Sequence, residues 1–188
     1  TLMLAAMQVD TYIFQALINK GIDVISRSTA GVTPLLAAIV SNNMAATKLI
    51  LDSGARLNDK DKVGRSAIFY SANAKIDPEI AQMLIEKGAD INVTENNGFT
   101  PLSLAAANGN TEAVEVLIKA GLSANGTSTK GEFTPLMSAA ANKHPVVVEQ
   151  LLRYKVDIDA RDRHGKTALM WAAEYNCQKC VELLLAHG

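Results

Sequence analysis

The 188-residue chain reads as an all-α repeat solenoid, a stack of antiparallel helix pairs joined by β-hairpin-like finger loops. Two observations predict this. A helix-start element recurs at a nearly constant interval, and a tail-like element keeps step with it. The first element is G-V-T-P-L-L-A-A-I from Gly31, N-G-F-T-P-L-S-L-A-A-A from Asn97, F-T-P-L-M-S-A-A-A from Phe133 and G-K-T-A-L-M-W-A-A-E from Gly165. Aligned on its hydroxyl residue it falls at Thr1, Thr33, Ser66, Thr100, Thr134 and Thr167, in steps of 32, 33, 34, 34 and 33 residues. The second element is K-G-I-D-V from Lys20, S-G-A-R-L-N from Ser53, K-G-A-D-I-N from Lys87, A-G-L-S-A-N from Ala120 and Y-K-V-D-I-D from Tyr154, with a final Gly188.

Each unit has a mechanical reading. Thr-Pro opens a short helix, because proline in the first turn gives up no needed donor and its φ is already helical. That helix is expected to end near Asn42, Asn108-Gly109 or Asn142, where a left-handed residue closes it. A second helix follows, apolar through Ala113, Val114, Val116, Leu117 and Ile118 in one unit and through Val147, Val148, Leu151 and Leu152 in the next. Asp77-Pro78 and His144-Pro145 mark starts of that second helix. Glycine then breaks it, and an extended polar stretch leads onward. Two short helices do not bury both faces alone, but stacked units share a continuous core. Six repeats are expected, at approximately 1–27, 28–60, 61–94, 95–127, 128–161 and 162–188.

These residues resemble the ankyrin repeat family over essentially the whole chain. The carriers are the T-P-L-x-x-A-A element, the V-x-x-L-L helix and the G-A-D-I-N tail, all in phase. The resemblance implies helix pairs with fingers at right angles, and a concave surface used for protein partners. The family's usual histidine after T-P-L is replaced by Leu36, Phe69, Ser103, Met137 and Met170, so its local hydrogen bond is not expected. Extra residues at Asn73–Asp77 and at Asn125–Phe133 belong in loops, and the second of these fingers is expected to be the more mobile. Solenoids need polar caps. With Leu2, Met3 and Leu4 at one end and Val181 to Leu185 near the other, the array is expected to be part of a longer one.

Composition narrows the function. With 48% hydrophobic and 20% charged residues and a net charge of -1, there is no bulk attraction to nucleic acid or to a membrane surface. No apolar run approaches the ~20 residues of a membrane span. The first residues lack the basic start and unbroken apolar segment of a signal peptide, so an intracellular setting is expected. His144, His164 and His187 fall at different places in the repeat, which predicts no shared metal or acid–base site. Cys177-Gln178-Lys179-Cys180 is half of a redox or zinc motif without further ligands. Cys180 sits at a core position and Cys177 at a helix start, so both are read as packing. Trp171, Tyr70, Met137 and Met170 are read the same way.

The fingers carry the candidate site. Their side chains are not needed to pack the stack, so apolar residues there ask for a reason. The residue before each hydroxyl residue runs Val32, Arg65, Phe99, Phe133, Lys166. Two phenylalanines flanked by two cations form an anchor patch of the residue types that dominate binding energy, or the rings fold back over neighbouring fingers. Arg163 and His164 on the last finger, and Asn108 and Tyr175 on the first-helix surface, complete the candidate protein-binding set. Charges at Lys60, Lys62, Arg161, Asp59, Asp61, Asp159 and Asp162 alternate in sign and are read as solvated fingers with internal ion pairs. The expected function is a non-enzymatic, monomeric protein-interaction module with no cofactor and an unidentified protein partner. Alternatives are a substrate-recruiting accessory domain of a larger enzyme or effector, and a structural spacer.

Overall fold

The computed structural model describes residues 11–21, 23–73, 75–127 and 133–188. Eleven helices lie among them: α1 (Thr11–Asn19), α2 (Pro34–Val40), α3 (Met44–Asp52), α4 (Ala67–Ser71), α5 (Pro78–Glu86), α6 (Pro101–Ala107), α7 (Thr111–Lys119), α8 (Pro135–Ala141), α9 (Pro145–Leu152), α10 (Ala168–Glu174) and α11 (Gln178–His187). There is no β-strand among the described residues. The fold class is the all-α helix-pair stack that the periodicity predicts. The first T-P-L-like element, at Thr1, lies outside the described residues, as do the centres of the two inserted loops, Ala74 and residues 128–132.

The chain divides into two compact units, Thr1–Ser71 with Lys75–Asp90, and Ala72–Ala74 with Ile91–Gly188. In the first, α2 pairs with α3 and α4 with α5, while α2 packs beside α4 and α1 against α3. In the second, α6–α7, α8–α9 and α10–α11 are the pairs. Their first helices α6, α8 and α10 form one row, and their second helices α7, α9 and α11 another. The rows come close because alanines fill them. Ala105, Ala106, Ala139, Ala140 and Ala172 are all fully buried, as is Leu36–Ala38–Ile39 in the first unit.

The helix starts follow from the sequence. Thr33, Thr100, Thr134 and Thr167 each adopt an extended backbone and accept a hydrogen bond from the third helical N–H at 3.3, 3.1, 3.2 and 3.4 Å. Ser103 completes a capping box, its hydroxyl accepting from the Thr100 N–H at 2.9 Å, so a serine supplies the local bond expected to be lost with histidine. Ser66, in the same register, is buried and its Oγ has no partner among the described residues. Second helices are capped by Asn43, Asp77 and Asn110, which accept from Ala46, Glu79 and Ala113 at 3.0, 2.9 and 3.0 Å.

Two details depart from the sequence reading. The left-handed residue after α8 is Lys143 (φ 60) rather than Asn142, which stays at φ -96 as the C-cap. Met170 is 47% exposed instead of packed, whereas Met137 in the same register is fully buried. The difference is that α8 has a helix pair on each side, and among the described residues none covers the outer side of α10.

Candidate interaction surface

The fingers are tight backbone loops with a repeated hydrogen-bond pattern. Ser28, Asp61, Glu95 and Asp162 each donate their N–H to the carbonyl four residues on, at 2.9, 3.0, 3.1 and 3.0 Å, and accept from a glycine N–H three residues on. Glycine is required at Gly31, where φ is +79 and a Cβ would stand 3.0 Å from the Lys62 backbone nitrogen. That close approach lets the Lys62 N–H donate to the Ala30 carbonyl at 3.1 Å, tying successive fingers together.

The acidic residue that opens the finger does more than its sequence suggests. Asp61 and Asp162 are 6% and 5% exposed, not solvated. Asp61 accepts from the Val63 and Arg65 N–H groups at 2.9 Å each, from Arg65 Nε at 3.0 Å and from the Tyr70 hydroxyl at 2.7 Å. Asp162 accepts from the His164 and Lys166 N–H groups at 2.8 and 2.9 Å and from Trp171 Nε1 at 3.0 Å. Burial alone would raise both carboxyl pKa values. The donated hydrogen bonds, with that of the Arg65 or Lys166 backbone foremost, outweigh it and leave both below the ordinary value. Burial, with the hydrogen bond to Asp61 next, pushes the Tyr70 hydroxyl up to about 12. Sequence reasoning missed these pins. The available signal was an aspartate nine residues before a hydrogen-bonding aromatic at Tyr70 and again at Trp171.

In the first unit the pin settles Arg65. Its guanidinium pairs with Asp61 Oδ2 at 2.9 Å and lies 5.0 Å from the Tyr70 ring centroid. In the second unit the same device orients the Trp171 indole, and three candidate residues gather on it. Phe133 meets it edge-on at 5.1 Å, Tyr175 stacks on it at 5.8 Å, and the Lys166 ammonium lies 4.3 Å from its centroid. Lys166 also bonds Glu174. Tyr175, the C-cap of α10, is 44% exposed, and Phe99, in an earlier finger of the same unit, is 37% exposed. Asn108 caps the end of α6, its N–H donating to the Leu104 carbonyl at 2.9 Å. Arg163 and His164 stand exposed on the last finger, the Arg163 Nε–H donating to His164 Nε2 at 3.0 Å. Phe133 is thus a packed ring as well as a finger residue, which the sequence left open.

The remaining chemistry-bearing residues are spread out. His144 starts α9 and bonds the Ala107 carbonyl through Nε2 at 2.9 Å, and His187 bonds the Leu183 carbonyl at 2.8 Å. Among the described residues no three His, Cys, Asp or Glu side chains gather as metal ligands. No helix among them is long and apolar enough to cross a membrane. Cys180 is fully buried as expected, but it is disulfide-bonded to Cys177 and neither is the free packing thiol the sequence suggested.

A family model described as ankyrin repeats in three copies matches residues 2–95, 68–162 and 102–188. Similar proteins include a putative ankyrin repeat protein of Rickettsia felis, 30% identical over 55% of this chain and 29% of that protein. SH3 and multiple ankyrin repeat domains protein 2 of Homo sapiens is 26% identical over the whole chain and 8% of its own length. Inversin of Mus musculus is 27% identical over 90% of the chain and 16% of its own length. The chain therefore spans less than a third of each of these relatives.

Proposed function

The chain belongs to the ankyrin repeat family, whose members generally act as non-enzymatic protein-interaction modules, and we propose that it binds a protein partner through its finger and first-helix surface. The observation that carries this reading is the aromatic platform of the second unit, where Phe133, Trp171 and Tyr175 touch in series and Tyr175 remains 44% exposed. Aromatic side chains held rigid by the fold add contact area with little ordering cost on binding. Phe99 extends the apolar surface, with Asn108 at the far end of α6 as a hydrogen-bonding group. Lys166, Arg163 and His164 form its polar rim. Arg65 serves the corresponding finger of the first unit. The repeats at 28–60, 61–94, 95–127, 128–161 and 162–188 are the units of the stack, with a further one over 1–27.

The test has two steps. Affinity capture from native lysate identifies a partner, and the affinity of that purified partner is then measured against Phe99→Ala, Tyr175→Ala and Phe99→Ala with Phe133→Ala. Each single change is expected to weaken binding by more than ~1 kcal/mol, and one of them by the ~2 kcal/mol of a hot spot. Charge reversal at Lys166 acts mainly on association rate and salt dependence. Undiminished affinity of the double variant, with the helical signal intact, places the site elsewhere on the molecule.

A further inference from the structure

The second helix of the last pair starts without the side-chain cap bond that Asn43, Asp77 and Asn110 supply to theirs. The residue ten places after the first-helix Thr is the N-cap of the second helix, at Asn43, Asn110, His144 and Cys177. The residue three places further on is a core position: Ala46, Ala113, Val147 and Cys180 are all 0–1% exposed. Asn43 and Asn110 bond the N–H of that core residue through their side chains at 3.0 Å. His144 makes no such bond, but Pro145 follows it and removes one of the donors, while the imidazole bonds Ala107 of the preceding pair. Cys177 makes no such bond and is followed by Gln178. The two positions that a hydrogen bond links in α3 and α7 are instead joined covalently, with their Cα atoms 5.2 Å apart.

We propose that Cys177–Cys180 is a reversible dithiol–disulfide site whose oxidised form takes the place of the missing cap on α11. Cys177 lines an open cleft of about 480 Å³ with Ala173, Asn176, Gln178 and Val181, while Cys180 is fully buried. Cys177, 6% exposed at the edge of that cleft, is therefore the more accessible end of the bond. The reductant is a small dithiol. One of its thiolates attacks Cys177 Sγ, the S–S bond breaks, and Cys180 leaves as a thiolate that takes up a proton. The second thiol then attacks the mixed disulfide, closing a cyclic disulfide on the reductant and releasing Cys177, which is protonated. Two electrons pass to the protein and the dithiol is oxidised. In either form the first-turn N–H groups of α11 lack an asparagine-like cap, sulfur being a weak acceptor, so reduction removes the covalent link that alone ties the N-cap side chain to the first turn. A ring closed across three residues constrains the unfolded chain little, so the effect falls on the local start of the helix. Reduction lets α11 open from α9 and α10 while the rest of the unit stays folded. This inference is independent of the proposed binding surface, since its readouts involve no partner.

The experiment equilibrates the full chain with either oxidised or reduced dithiothreitol. It counts alkylated cysteines by mass and follows amide exchange in α11, with α7 as an internal control for folding. The expected result is an intramolecular disulfide that forms and breaks reversibly, with roughly tenfold faster exchange over Val181–Leu185 on reduction and no change in α7. The variant Cys177→Asn with Cys180→Ala, which restores the pattern of α3 and α7, should keep α11 protected in both buffers. Equal protection of α11 in the two redox states overturns the proposal, as does failure of the intramolecular disulfide to form under oxidised dithiothreitol.

Discussion

Asp61 and Asp162 each bring a carboxylate to a place that is almost closed to water, and the structure tolerates it because at least three donors converge on each. Their pKa values lie below the ordinary carboxylate value, so the unfolded chain binds protons more readily than the folded one. The stabilisation they give is complete above the unfolded-state value of about 3.9 and is lost as pH falls through the depressed native values. A urea midpoint followed from neutral pH to about pH 3 should fall on this limb, and Asp61→Asn with Asp162→Asn should flatten the fall while lowering the midpoint at neutral pH. At Phe133 the edge-on contact with Trp171 predicts that truncation to alanine costs about 1 kcal/mol of stability by denaturation. The same change at the more exposed Phe99 should stay within about 0.5 kcal/mol. In the sequence the four finger aspartates look alike. Spacing alone does not reveal that the loop folds the Asp61 and Asp162 carboxylates back on their own N–H groups, whereas Asp59 and Asp159 receive no such set of bonds.

The helices themselves were largely legible, because their ends are written in residues with local mechanisms. Thr-Pro at 33–34, 100–101 and 134–135, Asp77-Pro78 and His144-Pro145 all open helices where they stand. The left-handed closure after α8 falls on Lys143 rather than Asn142, since the position follows helix length and the repeat register, which override the preference for asparagine. The disulfide was not legible. A C-x-x-C pair reads equally as two packing residues, and only the coincidence of an N-cap and a core position one turn apart brings the sulfurs together. Among the caps, Asn110 is 4% exposed and satisfies the Ala113 N–H, so Asn110→Ala should destabilise by about 0.5–2 kcal/mol. Thermal denaturation checks this, and glycine at the same site should recover most of the loss.

Within the second unit, each second helix is held by its own first helix and by the neighbouring second helices, so stability there is a sum of nearest-neighbour terms. Leu151 and Leu184 test this, because they occupy the same register in α9 and α11 and are 0% and 1% exposed. Their side chains are identical and equally buried, and what differs is the number of neighbours. Within the second unit α9 packs against both α7 and α11, whereas α11 packs against α9 and its own partner α10. Leu151→Ala should cost ~2–5 kcal/mol, with the cavity felt on both sides. Leu184→Ala should fall at or below the lower end of that range, since fewer packed elements surround it and the site relaxes more easily. Amide exchange separates the two cases more sharply than the midpoint does. Leu151→Ala should reduce protection in α7 and α11 as well as α9, while the loss from Leu184→Ala should be confined to α11 and the faces of α9 and α10 that touch it. Equal spread from both substitutions would mean that the unit unfolds as one cooperative block and that the interfaces between pairs are stronger than the pairs themselves.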